Sequence, residues 1–221
     1  MSWRIASDPS LPYGKRHVLN ILYHDPDLLF VDKPAGLLSV PGKTEPDCVE
    51  ARLRTQYPEA LTVHRLDMAT SGVMVFARNK AAQRHLGLQF ERRHLAKTYI
   101  AVVDGIVAAN EGHIDLPLRA DWPNRPLQMV CHEQGRPSQT DWRVLERMSD
   151  KTRLELTPLT GRSHQLRVHL QAIGHVILGD EFYAYGNALA ASERLLLHAH
   201  RLSLFKPTGG ERVTIESPVP F

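Results

Sequence analysis

Short runs of β-branched and aromatic residues recur along most of this chain, with few helix-like segments between them. The strand candidates are 28–31, 72–77, 98–103, 140–145, 153–156, 195–204 and 212–215. The helix candidates are 49–57, 80–93 and 163–173. Because the helices do not alternate strictly with the strands, we predict an α+β fold with a mixed, mostly antiparallel central sheet and flanking helices.

The sequence predicts one folded domain, residues 18–221, behind a short N-terminal arm. Residues 1–17 carry prolines and a glycine without apolar periodicity, which indicates a flexible arm. No apolar stretch approaches the ~18 residues of a membrane span, and the N-terminus lacks the apolar core of a secretory signal. Two cysteines are too few for a disulfide framework. We therefore expect a cytoplasmic protein with no membrane association.

Arginine outnumbers lysine by 20 to 7, and the pI is about 9.0. Guanidinium groups bind phosphate in a bidentate manner and stack on flat rings, so this excess favours a nucleic-acid partner. Between residues 78 and 97, six basic residues and one acid, Glu91, give a segment charge of +5. This segment is either a solvated helix face or a surface that follows RNA phosphates. Its candidate contacts on the predicted helix are Lys80, Arg84, Arg92 and Arg93.

Histidine pairs at two places have spacings that invite comparison with metal sites. His198 and His200 would share one face of a strand, whereas His164 and His169 would not align on a helix. No carboxylate stands at ligand spacing beside either pair. We therefore expect structural histidines and no bound metal.

A lone carboxylate, Asp67, lies between an arginine and a Thr-Ser-Gly turn in the segment HRLDMATSG at 64–72. A second polar segment, GRSHQLRVH at 161–169, could meet it at one end of a cleft. A carboxylate near arginine stays ionised, which suits a nucleophile or an electrostatic stabiliser. A two-carboxylate hydrolase would need a second acid, and these segments offer none. From the residues alone, Asp67 could equally cap a structural loop.

Together these segments resemble the RluA-type RNA pseudouridine synthases. The segment 64–72 is similar to the family's His-Arg-Leu-Asp-x-x-Thr-Ser-Gly signature. Further matches follow in the family's order at 32–42 (Lys-Pro-x-Gly), 97–99 (Lys-x-Tyr), 161–169 (Gly-Arg-x-His-Gln-Leu-Arg-x-His), 175–183 and 196–199. Val176 departs from the family, which has proline there. The resemblance implies the pseudouridine synthase fold with an active-site cleft. Several relatives carry an N-terminal S4-type RNA-binding domain, but the short segment before the folded domain leaves no room for one, so we expect none here.

The resemblance implies an isomerase that needs no cofactor or metal, because uracil leaves its ribose, rotates and rejoins it through carbon 5. Asp67 matches the family's essential aspartate, Tyr99 the tyrosine that stacks on the target base, and Arg167 the arginine that pairs with the aspartate. Arg65 matches the residue that fills the gap left by the extruded uridine. Further RNA contacts are expected at His64, as a positioning residue, and at Trp122, Arg125 and Arg162.

Within the family, the chain is closer to members that act on both large-subunit ribosomal RNA and transfer RNA. Hairpin loops and the anticodon stem-loop suit such an enzyme because their bases are extruded at low cost. We expect a monomer whose partner is RNA. The alternatives are a transfer-RNA synthase with a single substrate, a hydrolase that releases uracil, and a non-catalytic RNA-binding module. The presence of Asp67, Tyr99 and Arg167 counts against the last.

Overall fold

The computed structural model describes residues 19–221, and a mixed ten-stranded sheet is its main element. The strands are β1 (Asn20–His24), β2 (Leu28–Lys33), β3 (Leu61–Thr62), β4 (Ser71–Ala77), β5 (Ala96–Asp104), β6 (Glu111–Asp115), β7 (Leu118–Ala120), β8 (Gln128–Val130), β9 (Gln139–Arg147), β10 (Lys151–Pro158), β11 (Leu197–Phe205) and β12 (Arg212–Glu216). The helices are α1 (Val49–Arg54), α2 (Lys80–Arg92), α3 (Gln165–Ala172) and α4 (Gly186–Ala190).

The sheet has the strand order β1-β2-β4-β11-β5-β10-β9-β6, with β12 paired to β11 and β3 paired to β4. Strands β4 and β11 run parallel, and the other strand pairs of the described residues are antiparallel. Strands β7 and β8 form a separate antiparallel hairpin. The predicted α+β fold with a mixed, mostly antiparallel sheet is confirmed.

Two large apolar cores lie against the two halves of the sheet. The first contains β2 and β4 with α1 and α2, and Phe30, Phe76 and Leu86 are fully buried in it. The second contains β5 and β10 with α3, and Leu156 and Leu170 are fully buried there. Each such side chain contributes about 1.5–3 kcal/mol by leaving water. The segment 64–72 is thereby attached to the half of the sheet that contains β4, and the segment 161–169 to the half that packs against α3.

The three predicted helices have different bounds in the structure, and each difference has a local cause. Helix α1 ends at Arg54, three residues short of the prediction, because Tyr57 precedes Pro58 and a residue before proline avoids helical geometry. Helix α3 begins at Gln165 and not at 163, because His164 adopts a left-handed conformation with φ 54°. Helix α2 ends at Arg92, followed by left-handed Arg93.

The sequence pattern missed β1, β3, β6, α4 and the hairpin of β7 and β8. Strand β6 has largely exposed side chains, and β3, β7 and β8 have only two or three residues each, too few to show a period. The predicted arm, residues 1–17, lies outside the described residues. In the part of the chain that is described, no helix combines the length and hydropathy needed to cross a bilayer.

Candidate active site

A cleft of about 810 Å³ is lined by the loop before β4, the start of β5, the loop before α3 and the hairpin of β7 and β8. Among residues 19–221, its charged lining consists of one carboxylate, Asp67, and five basic side chains. The basic residues are Arg65, Lys97, Arg125, Arg162 and Arg167. This arrangement brings the two polar segments of the sequence together and favours an anionic ligand.

The loop that carries Asp67 is held from inside by Lys33, the last residue of β2. The fully buried Lys33 ammonium donates hydrogen bonds to the backbone oxygens of Pro34 (3.0 Å), Met68 (2.8 Å) and Thr70 (2.7 Å). Burial lowers the pKa of Lys33 to about 7, although the negative charge of Asp67 acts in the opposite direction. All three donors of the ammonium are satisfied, so Lys33 fixes the backbone that immediately follows Asp67 and ties it to the end of β2.

The ends of this loop are fixed by two further motif residues. The Ser39 hydroxyl donates to the Leu66 backbone oxygen (2.6 Å) and accepts from the Leu66 backbone nitrogen (3.0 Å). On the other side, Gly72 has φ 115°, and a Cβ there would collide with the Ala199 carbonyl where β4 meets β11. The glycine of the Thr-Ser-Gly turn is therefore required by both conformation and space.

The Asp67 carboxylate faces two cationic or polar groups at the floor of the cleft. Its Oδ2 lies 3.7 Å from Nη1 of Arg167 and 3.9 Å from Nε2 of His164. Arg167 is bound more closely to Asp180, whose two carboxylate oxygens accept from Nε (2.8 Å) and Nη2 (2.5 Å). The expected pairing of Arg167 with Asp67 is thus only a loose contact, and Asp180 is the principal partner.

Tyr99 lies on β5 and lines the same cleft. Burial raises the pKa of Tyr99, and the negative charge of Asp67 raises it further. The phenol therefore stays protonated at neutral pH. A neutral aromatic ring beside a carboxylate provides a stacking surface for a flat ligand.

His64 is part of the cleft wall and is neutral. Its Nε2 accepts a hydrogen bond from the Val75 backbone nitrogen (3.1 Å), and its ring stacks on Phe90 with centroids 4.6 Å apart. Burial lowers the pKa of His64 to about 3, and the positive charge of Lys97 contributes in the same direction. His64 thus offers a ring edge to the cleft and no positive charge.

The remaining predicted RNA contacts fall in two places. Arg65, Arg125 and Arg162 line the cleft, and the exposed Trp122 stacks on Arg125 at the tip of the hairpin, 3.4 Å from guanidinium carbon to ring centroid. By contrast, the four basic residues of the α2 segment are exposed but do not line the cleft. They are Lys80, Arg84, Arg92 and Arg93.

Sequence reasoning missed several residues that build the site. Lys33, Lys97, Asp180 and Tyr183 all lie within segments that resemble family motifs, which was the available signal. Their contacts could not be read from spacing, because each joins segments distant in the chain or depends on the path of a loop. The Lys97 ammonium, for example, reaches the Thr160 backbone oxygen at 3.3 Å, and burial lowers its pKa to about 8.

The histidine pairs that resembled metal ligands are engaged elsewhere. His198 lies between the Ser71 hydroxyl (2.8 Å) and the Ser217 backbone oxygen (3.2 Å), and His200 Nδ1 lies 2.9 Å from that same oxygen. Within residues 19–221, no group of three or more His, Cys, Asp or Glu side chains is arranged to hold a metal ion.

Comparison with known proteins identifies relatives along nearly the whole chain. The model of the RNA pseudouridylate synthase family matches residues 27–172. A relative from Escherichia coli (strain K12), the dual-specificity RNA pseudouridine synthase RluA, is 53% identical over 206 residues, covering 92% of this chain and 94% of its own. The protein of the same name from Vibrio vulnificus is 55% identical over 194 residues, covering 85% and 78%. The resemblance inferred from the motifs is confirmed.

Solved structures of similar fold belong to the same family. Human RNA pseudouridylate synthase domain containing 1 superposes with a TM-score of 0.81 at 32% identity, covering 96% of this chain and 87% of its own. Human RNA pseudouridylate synthase domain containing 4 gives a TM-score of 0.74 at 25% identity, covering 91% and 88%.

Proposed function

Because the chain belongs to the RNA pseudouridine synthase family and is therefore an isomerase of uridine in RNA, we propose that it acts on two kinds of RNA. These are hairpin loops of large-subunit ribosomal RNA and the anticodon stem-loop of transfer RNA. Relatives that match almost the full chain carry the name dual-specificity synthase. One feature of the cleft supports the proposal above all: a single carboxylate, Asp67, lies beside a phenol and a guanidinium within a basic lining.

Asp67 is the proposed catalytic residue. The loop that carries it is fixed by Lys33 and Ser39, so the carboxylate is held before the substrate arrives. The nearby Arg167 guanidinium stabilises its charged form, which a nucleophile or an electrostatic stabiliser requires. Tyr99, which stays protonated, would stack on the target base. These three side chains are the proposed catalytic set.

The target uridine must leave its stack to reach Asp67, which costs a few kcal/mol. Arg65 is exposed at the cleft, and its flat guanidinium can occupy the vacated position. Arg162 also lines the cleft, where its guanidinium can bind a phosphate or a base oxygen. At the hairpin tip, Trp122 and Arg125 present a stacked pair for unpaired loop bases.

Tritium release is the direct test of this proposal. Ribosomal hairpin and transfer-RNA transcripts are labelled with tritium at uridine C5, and the label is counted in water after incubation. Formation of the bond between C5 and the ribose expels the C5 hydrogen, so each turnover releases one label. We expect release from both RNAs. Release from one alone would establish a single-substrate synthase, free uracil would indicate a hydrolase, and RNA binding without release would indicate a binding module.

The exposed basic face of α2 is proposed to follow RNA phosphates outside the cleft. We expect the double variant Arg84→Ala/Arg92→Ala to weaken RNA binding and to reduce the slope of log K against log salt by about 1 for each phosphate that is no longer neutralised. The matched control is Lys151→Ala. Lys151 is the first residue of β10, five residues before Leu156, which pairs with Tyr99 of the cleft. Titrations at several salt concentrations measure both slopes. An unchanged slope in the double variant would show that this face of α2 is only solvated and does not contact RNA phosphates.

We further propose that residues 18–221 act as one catalytic domain, since one sheet joins strands from residue 20 to residue 216. The proposed form is a monomer located in the cytoplasm, where both RNAs are found. Sedimentation of the purified protein, alone and with a stem-loop RNA, tests the oligomeric state. A 24.9 kDa species is expected without RNA.

A further inference from the structure

His164 adopts a backbone conformation that a non-glycine residue rarely takes. Its φ is 54° and ψ is 15°, in the left-handed region, immediately before α3. This conformation is unfavourable for a non-glycine residue, and it persists only where the surroundings enforce it. Phe182 stacks on the imidazole at 5.6 Å between centroids, with an interplanar angle of 28°. The structure thus sets the ring in one orientation at the floor of the cleft.

The hydrogen bonds around Tyr183 define which imidazole nitrogen carries the proton. The Tyr183 hydroxyl oxygen accepts from the Gln128 backbone nitrogen (2.9 Å) and lies 2.7 Å from Nδ1 of His164. Burial raises the pKa of Tyr183 to about 12, so the hydroxyl keeps its proton. Among the described residues, His164 Nδ1 is the acceptor within reach of that proton, and a buried hydroxyl without an acceptor is unfavourable.

Burial lowers the pKa of His164, which favours the neutral imidazole. The neutral ring therefore carries its proton on Nε2, the nitrogen that faces the Asp67 carboxylate. Nε2 lies 3.9 Å from Oδ2 of Asp67 in the free protein. This separation is long for a hydrogen bond, but such contacts often tighten when substrate binds. Arg167 approaches the same oxygen from 3.7 Å, so the two donors converge on one carboxylate oxygen.

We propose that His164 is a positioning residue of the reaction: held as its Nε2–H tautomer by Tyr183, it donates to Asp67 and fixes the carboxylate oxygen that does not react. The other oxygen, Oδ1, is thereby left to face the target nucleotide. The Tyr183 hydroxyl also accepts from the backbone nitrogen of Gln128, the first residue of β8. The orientation of His164 therefore depends on the position of the hairpin of β7 and β8. This inference rests on the proposed role of Asp67.

Two amide substitutions at position 164 separate this role from a purely structural one. Asparagine tolerates left-handed geometry and places its amide near Nδ1, where it keeps the Tyr183 contact but cannot reach Asp67. Glutamine places its amide near Nε2 and can donate to Asp67. We expect His164→Asn to lower kcat by about 10–100-fold at unchanged KM, and His164→Gln to recover about tenfold of that loss. A structural role predicts the reverse order, which would overturn the proposal.

Nitrogen NMR of the free protein tests the tautomer without turnover. With ¹⁵N-labelled histidine, the His164 signals are assigned by their loss in His164→Asn. We expect a protonated Nε2 and an unprotonated Nδ1 in the wild type, and a mixture of tautomers in Tyr183→Phe. A protonated Nδ1 in the wild type would refute the inference even if the enzyme is active. Full turnover by a variant lacking the Asp67 carboxylate would instead refute the proposed role of Asp67.

Discussion

Asp67→Asn is expected to lower tritium release by about 10⁴-fold, the scale of loss when an essential catalytic carboxylate is removed. The substitution keeps size and shape while removing the charge. The fold should be retained, because the carboxylate's contacts to Arg167 and His164 are longer than 3.5 Å and the loop is held through backbone atoms by Lys33. We expect the free energy of unfolding to change by less than ~1 kcal/mol.

The matched control for this prediction is Asp104→Asn, the same chemical change on an exposed side chain at the far end of β5 from Tyr99. It should release tritium at the wild-type rate. RNA affinity measured by filter binding should be similar for the wild type and both variants. If Asp67→Asn remained folded and turned over within tenfold of the wild type, the carboxylate would not be part of the chemistry.

Asp180→Asn is expected to destabilise the protein by about 3–5 kcal/mol, because it removes the principal ion-pair partner of the buried Arg167 guanidinium and leaves only the loose contact with Asp67 at 3.7 Å. Asp180 is fully buried and Arg167 is 2% exposed, so water cannot replace the missing carboxylate. The same carboxylate also accepts from the backbone nitrogens of Phe182 (3.0 Å) and Tyr183 (3.2 Å). Its loss should therefore disturb the loop that orients His164, and turnover should fall with stability.

Urea unfolding measures this effect, with Glu216→Gln as the matched control. Glu216 pairs with Arg201 on β11, but both side chains are about half exposed, so that variant should lose at most ~1 kcal/mol. The double variant Arg167→Met/Asp180→Leu should regain most of the stability, since apolar residues can replace a buried ion pair, but it should be inactive because it lacks Arg167. A loss below 1 kcal/mol in Asp180→Asn would show that Arg167 finds another partner.

The sequence could predict the elements whose apolar residues recur at helical spacing or form a continuous run. Ala82 and Leu86, four residues apart on α2, and the continuous apolar run 73–77 of β4 are buried, as their spacing indicates. The motifs likewise predicted that the segments at 64–72 and 161–169 would share one cleft, and both line it. Such features are local or are inherited with the family.

Other features depend on where the folded chain passes and could not be predicted. Arg167 binds Asp180 because the loop after α3 turns back beneath the helix, a path that spacing does not reveal. The left-handed conformation of His164 is enforced by neighbours on the loop at 180–183, and it shortens α3 at its start. Short strands such as β7 exist because a partner strand pairs with them.

The position of β11 in the sheet has a consequence for biosynthesis. Strand β11, residues 197–205, lies between β4, which follows the Asp67 loop, and β5, which carries Tyr99. Pairings between such distant segments form slowly. While the chain is being translated, the two halves of the cleft remain unjoined at the sheet's centre until β11 leaves the ribosome. Premature termination before residue 197 would therefore yield no partial activity, because a chain without β11 cannot join the Asp67 loop to Tyr99.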